Sequence, residues 1–477
     1  MRIFKSVGFI HYGVLVTVLL GGILAYNLLL GDRQLFVPGE TTHGHHQIEM
    51  ACSTCHVKAF TGSEPMQNAC VACHGDALDK ARDTHPKKKF TDPRNADLLA
   101  NLDATQCVTC HIEHSPEVTG DFGLTLPEDF CFYCHRDIAE ERPSHSEFAF
   151  DSCSNSGCHN YHDNKALYEQ YLAKHVGQPS LLNDAKVRIP NAISLWLKSN
   201  SDSQPLAQHQ NDGHTIKGLL GTAIQAPDSS AKVVQQWATS AHATAQVNCS
   251  DCHAETDTSR TKNEAPLVTH TELAHTGNLN GLATCKSCHE KQTLGFKSGL
   301  HGMRQAIDLP AMQVAQARLP MQKNASHREL NCSSCHDPHK PDLVEAAVTS
   351  CLTCHNDEHS NNFDKSKHYQ AWLAEQSGQG AAGSGVSCAT CHMPRIKKGK
   401  RVHVEHNQSL TLEPNSKMIR PVCQQCHGLE FSIAALADRN LINSNFTRDF
   451  EPRHQSFDLV KARQAAKRAG KKKPSAD

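Results

Sequence analysis

The chain is poor in aromatic residues and has almost no net charge. Phe, Tyr and Trp make up 5% of its 477 residues, and only three are Trp. A chain long enough for two to four domains ordinarily draws more of its core from such rings. The apolar share is also low, 38%, which argues against a large conventional core. Lys and Arg number 48 against 49 Asp and Glu, a formal charge of −1. The basic excess needed to neutralise nucleic-acid phosphates is therefore absent, and a nucleic-acid binder is excluded. Alternating strand patterns are nearly missing, and long amphipathic periodicity is rare. What the chain has in excess is 22 Cys and 33 His.

No cysteine is left over. Ten C-x-x-C-H motifs are formed by Cys52/Cys55, Cys70/Cys73, Cys107/Cys110, Cys131/Cys134, Cys249/Cys252, Cys285/Cys288, Cys332/Cys335, Cys351/Cys354, Cys388/Cys391 and Cys423/Cys426. The last two, Cys153 and Cys158, have four residues between them and again precede a histidine. A zinc site or a redox-active dithiol has no need of histidine directly after the second cysteine. Covalent attachment of c-type haem needs both features. Two thiols one turn apart add to the porphyrin vinyl groups, and the next imidazole lies under the iron as its proximal ligand. The insert Ser154-Asn155-Ser156-Gly157 is turn-forming, so the wider pair can bulge and still reach both vinyls. The cofactor expectation is eleven covalently bound haem c.

The proximal ligands are then His56, His74, His111, His135, His159, His253, His289, His336, His355, His392 and His427. Apart from His11 in the apolar N-terminus, 21 histidines remain for the eleven sixth positions. Candidates that follow a proximal histidine closely, and so point toward a neighbouring haem, are His114, His162, His339 and His359. His46, His242 and His327 stand shortly ahead of a motif, and His85, His145, His301 and His406 complete the set. Methionine is an alternative axial ligand, but there are only eight.

Val7 to Leu30 contains no Asp, Glu, Lys or Arg, long enough to span a bilayer with some tilt. Arg2 and Lys5 precede it, which favours a cytoplasmic N-terminus. A cleaved signal peptide is the rival reading, and no A-x-A site follows. The expected address is the bacterial inner membrane, single-pass, with periplasmic haem domains. His11 and Asn27 are read as polar groups tolerated within the span rather than as a quinol site.

The gaps between motifs run 13, 32, 19, 17, 89, 31, 42, 14, 32 and 30 residues. The long gap separates five motifs from six. The expected organisation is a transmembrane anchor over 1–30, a tether over 31–51, a five-haem domain over 52–177, a linker over 178–228, a six-haem domain over 229–456 and a basic tail over 457–477. That tail is expected to be solvated, or else a basic arm for lipid headgroups or an acidic partner. The expected fold is mainly α with little regular secondary structure: short helices carry the motif turns, and the macrocycles supply the hydrophobic interior.

With these motifs the chain resembles the multihaem c-type cytochromes. Cys52 to His162 resembles cytochrome c3-like and membrane-anchored pentahaem electron carriers, and Cys335-His336-Asp337-Pro338-His339 has a form common in c3-like chains. Trp237-Ala238-Thr239-Ser240-Ala241-His242 and Cys388-Ala389-Thr390-Cys391-His392-Met393-Pro394 look like the multihaem nitrite reductase and hydroxylamine oxidoreductase superfamily. The whole is similar to undecahaem cytochromes of extracellular electron transfer. No C-x-x-C-K motif matches the catalytic haem of nitrite reductase, and no tyrosine is assignable to the hydroxylamine oxidoreductase cross-link. The resemblance therefore implies an electron carrier without substrate chemistry of its own. Its partners would be a quinol-oxidising membrane complex or other cytochromes. The alternative is a reductase of a small nitrogen or sulfur oxyanion near His301-Gly302-Met303-Arg304 and Arg318.

Overall fold

The computed structural model describes residues 2–31, 33–57, 63–81, 85–142, 145–146, 148–153, 159–163, 167–183, 215–217, 223–225, 231–245, 247, 252, 281–399 and 401–471. The fold is mainly α. Among the described residues the strands form two small antiparallel pairs, Thr215–Lys217 with Ala223–Gln225 and Arg395–Lys398 with Arg401–Val404. Most other elements are one or two turns of α- or 3-10 helix. Two compact units are present: Met1–Ser156 with Asn160–Asn164, and Gly157–His159 with Lys165–Asp477.

The first unit begins with the helix Arg2–Leu29. Its segment Gly8–Leu29 is long and apolar enough to cross a membrane and is not buried within the protein. Thr17 Oγ1 and Asn27 Nδ2 each donate to the carbonyl four residues back, at 2.9 Å. These side chains are thereby satisfied inside their own helix, as an apolar surrounding requires. After the helix the chain does not run free to the first motif. Thr41 is buried, Thr42 N donates to Glu113 Oε2 at 2.8 Å, and Gly39 O accepts from His114 Nδ1 at 2.7 Å. A Cβ on Gly39 would stand 2.5 Å from His114 O, so only glycine allows this approach. The expected tether over 31–51 is thus packed, from about residue 39, onto the segment after the third motif. Matched donors and acceptors cause this, and they are invisible to local patterning.

In the second unit the main apolar cluster joins Leu167, Leu172, Met418, Ile419, Leu429, Ile433, Leu436, Phe457 and Val460. Helix Glu169–His175 lies in this unit, where Leu172 and nearby Leu167 find their apolar partners. Gln455–Lys471, within the stretch read as a basic tail, is a helix. Phe457 is fully buried at its start, Lys461 pairs with Glu430 at 3.2 Å, and Arg463 pairs with Glu169. The run of Lys and Arg in the sequence hid a short apolar face. A smaller cluster gathers Met312, Val314, Ala325, Leu330 and Cys354. A third holds Trp237, Ala238 and Ala243, with Trp237 Nε1 donating to Val247 O at 3.0 Å.

Phe457→Ala is expected to cost about 3–5 kcal/mol, the usual range for truncating a buried aromatic ring. The C-terminal helix should then become a site of limited proteolysis at its lysines, while the first unit stays resistant.

Candidate cofactor sites

The motif turns share one geometry. The histidine N–H donates to the carbonyl of the first cysteine, four residues back, in His56, His111, His135, His289, His336, His355 and His427, at 2.8 to 3.0 Å. One closed turn of this kind puts both thiols and the imidazole on neighbouring surfaces of the same loop. The second motif lies inside helix Ser63–Ala81, and the Cys388 motif forms its own helix, Cys388–His392, capped by Ser387. None of the twenty described cysteines is in a disulfide, and no group of three or more His, Cys, Asp and Glu converges among the described residues. The sites are therefore cysteine pairs beside single imidazoles rather than metal cages of four protein ligands.

The two thiols of a motif differ in their surroundings. The second is exposed at Cys55, Cys73, Cys134, Cys252, Cys288 and Cys335, whereas among the described first thiols only Cys52 is. In the Cys285 motif the first thiol hydrogen-bonds with Cys332, while Cys288 has the Ser287 hydroxyl 3.8 Å from its sulfur. Cys249, the expected partner of Cys252, lies outside the described residues.

Eight proximal rings each face a second imidazole. The pairs, with their centroid separations, are His74 with His45 (5.7 Å), His111 with His162 (6.4 Å) and His135 with His85 (6.2 Å) in the first unit. In the second unit they are His289 with His242 (6.2 Å), His336 with His406 (6.3 Å) and His355 with His301 (6.1 Å). His392 with His359 (6.1 Å) and His427 with His368 (6.2 Å) complete the set. An imidazole nitrogen binds a metal at about 2.0 Å, so two rings on opposite sides of one ion have nitrogens about 4 Å and centroids about 6 Å apart. The centroid spacings fit an iron between the rings, the His74–His45 pair being the tightest, with its Nε2 atoms 3.5 Å apart.

Hydrogen bonds fix which nitrogen is offered. The Nδ1 atoms of His85, His111, His242, His359, His406 and His427 lie 2.5 to 3.3 Å from the main-chain oxygens of Tyr161, Gly123, Pro338, Ile442, Val404 and Ser180. A carbonyl can only accept, so each Nδ1 carries the proton and Nε2 keeps its lone pair for a metal. Burial pushes His301, His368 and His392 down to about 4, with neighbouring histidines contributing. They are neutral near pH 7, the form a ligand requires.

Six of the expected distal residues, His85, His162, His242, His301, His359 and His406, thus stand opposite a proximal ring. For five others the structure records different neighbours. His46 Nδ1 is 3.6 Å from Glu49, and His114 Nδ1 is on Gly39 O. The His145 ring lies 6.2 Å from Phe148, His339 is 3.9 Å from Asp337, and His327 is exposed. His253 and Cys158, like Cys249, lie outside the described residues. Two partner rings escaped sequence reasoning, His45 and His368. Spacing cannot separate His45 from the adjacent His46. His368 lies far from any motif, on the first turn of helix Lys367–Gln376, whose start is set by the Ser366 cap.

The sites are strung together in chain order. In the first unit Cys55 is close to Cys73, and the Cys70 thiol hydrogen-bonds with Cys107. Tyr161 stacks on His85 at 4.2 Å and meets His162 edge-on at 5.2 Å, which joins the third motif to the fourth. Cys131 adjoins Cys153, joining the fourth to the fifth. In the second unit Cys285 adjoins Cys332, Cys335 is near Cys351, and Cys351 adjoins Cys388. Cys391 is near Cys423, and Phe446 sits between His359 and His368 at 6.5 and 5.7 Å.

Comparison with known proteins agrees with this arrangement at both ends. A family model described as cytochrome c3 matches residues 44–136, covering the first four motifs. One described as cytochrome c552 matches residues 367–476, covering His368, the last two motifs and the C-terminal helix. No curated protein matches the chain, and no solved structure does.

His368→Ala is expected to convert one low-spin iron to high spin in the electron paramagnetic resonance (EPR) spectrum of the oxidised protein, whereas His327→Ala should leave the spectrum unchanged. Acidification should also weaken the second unit. The depressed histidines stay neutral in the fold, while the unfolded chain takes up protons below about pH 6.5. Stability should therefore fall between about pH 6.5 and about pH 4, which thermal unfolding at stepped pH would show.

Proposed function

We propose, because the chain is a multihaem c-type cytochrome that transfers electrons, that it is a membrane-tethered undecahaem conduit. It would link membrane respiratory components with periplasmic, outer-membrane or extracellular redox partners. The observation that carries this reading is that, among the described sites, those adjacent in the sequence are adjacent in space within each unit, the first to the fifth and the seventh to the eleventh, so an electron could pass from one to the next without leaving the protein.

Haem c, when bound, supplies a one-electron iron couple whose potential follows its axial ligands, their hydrogen bonds and burial. The chain's own residues do the rest. The cysteine pairs would hold each macrocycle covalently, the motif histidine and the opposed histidine would both hold its iron, and with both rings in place small molecules would be kept from the metal. Two neutral imidazoles would suit both oxidation states, so little would rearrange with each transfer. Carbonyl-anchored Nδ1 atoms hold the ring orientations.

The N-terminal helix serves in this reading as an uncleaved inner-membrane anchor, with the haem units in the periplasm. A quinol-oxidising complex or another cytochrome would be the donor or acceptor at either end. The same geometry counts against a reductase near His301 and Arg304. His301 faces His355 across 6.1 Å, and Arg304 Nε donates to Pro310 O at 3.0 Å. The ring proposed for anion chemistry there is turned to another imidazole, and one donor of the Arg304 guanidinium is taken by a main-chain carbonyl.

EPR of the oxidised full-length protein tests the proposal. The expected spectrum is low-spin and unchanged by nitrite, hydroxylamine or tetrathionate. A high-spin signal that responds to one of them would establish the reductase reading instead. A pyridine haemochrome assay should count eleven haems per chain, and ten would point to the Cys153/Cys158 pair.

A further inference from the structure

Main-chain carbonyls anchor four of the eight opposed imidazoles, His85, His242, His359 and His406, but His45 is held differently. Its Nδ1 lies 2.7 Å from Glu113 Oε1, and its Nε2 lies 3.5 Å from His74 Nε2. The carboxylate is itself fixed: Thr42 N donates to Oε2 at 2.8 Å, and Thr42 Oγ1 donates to Oε1 at 3.0 Å. Both side chains are about two-thirds shielded, with 33% and 30% exposure. The comparable contact in the second unit, His355 with Asp357, is looser at 3.6 Å.

We propose that Glu113 is a positioning residue that makes His45 an unusually strong axial donor and so makes the His74 site the hardest to reduce in the first unit. The inference rests on the reading of opposed histidines as iron ligands, and adds an ordering of potentials that the conduit reading does not contain. A charged acceptor draws the Nδ1 proton more strongly than a neutral carbonyl does. The imidazole is left more electron-rich at Nε2, as with carboxylate-backed histidines in other metal sites. Greater donation from an axial ligand stabilises the ferric state over the ferrous, and so lowers the potential. In the same unit His85 and His111 lean on the carbonyls of Tyr161 and Gly123, which lack that charge. Cys55 and Cys73 bring the first and second motifs together, and Cys70 and Cys107 the second and third. The His74 site is therefore an interior step, and an electron crossing it in either direction climbs before it descends.

Glu113→Gln in the full-length holoprotein keeps the length of the side chain and an oxygen for Thr42, but removes the charge. In a potentiometric titration followed by EPR, one low-spin species should become easier to reduce and its g values should spread. The number of haems and their low-spin state should not change. Glu113→Asp, which restores a carboxylate, should return that species toward its original potential. Titrations of Glu113→Gln that superimpose on wild type, or equal shifts for Gln and Asp, would overturn the proposal. If the Gln variant does not load haem, the wild-type titration decides. A low-spin species with compressed g values must be among the last reduced, and its absence sinks the idea. His45→Ala separates the two inferences. No new high-spin iron in that variant refutes the ligand pairing itself, whereas new high-spin iron beside an inert Glu113→Gln refutes only the role of Glu113.

Discussion

The arrangement depends on imidazoles held by Nδ1 so that Nε2 is free. At eight motifs another part of the chain brings a second ring opposite the motif histidine. The backbone fixes the tautomer of four of these rings through main-chain carbonyls, such as Ile442 O beneath His359 and Val404 O beneath His406. A carbonyl on Nδ1 settles the protonation pattern without adding charge. The same contact therefore recurs across otherwise dissimilar local structures.

That requirement shapes the rest of the fold. Elements are short because each must deliver one ring, one turn or one cysteine pair and then give way to the next. Asn445 and Phe446 are consecutive residues in the left-handed region, at φ 53 and 57, a conformation that costs non-glycine residues energy. They occupy the corner where Asn445 Nδ2 bonds His359 O at 2.8 Å and Phe446 packs against both His359 and His368. Among the described residues the apolar clusters are few and small, consistent with the low aromatic content.

Much of the chemistry was legible in the sequence because it is local. A cysteine pair followed by histidine is a one-turn device, and its recurrence without a leftover cysteine identifies covalent haem. The apolar N-terminal run reads equally directly as a helix of membrane-spanning length. Distal ligands were less legible. His359 and His162 follow a motif by a few residues, which fits delivery to a neighbouring site. His45 and His46 are adjacent, and only the position of Glu113, 68 residues away from His45, picks out His45. His368 carries no local signal at all. Nor does a motif reveal which of its thiols turns inward, as Cys285 does and Cys288 does not. The stretch 457–477 read as a charged tail, yet Phe457 and Val460 at its start hold the helix Gln455–Lys471 on the second unit.

By itself the sequence determined the cofactor type, the cysteine–histidine motifs that would attach it and a helix able to cross a membrane. Each of these is fixed by residues within one turn or one continuous run. Tertiary structure alone decided which imidazoles face one another, that Glu113 rather than a carbonyl anchors His45, and which side of the chain claims residues 167–175. Those outcomes depend on contacts between segments tens to hundreds of residues apart. Linear spacing carries no information about such contacts until burial and hydrogen bonding select among them.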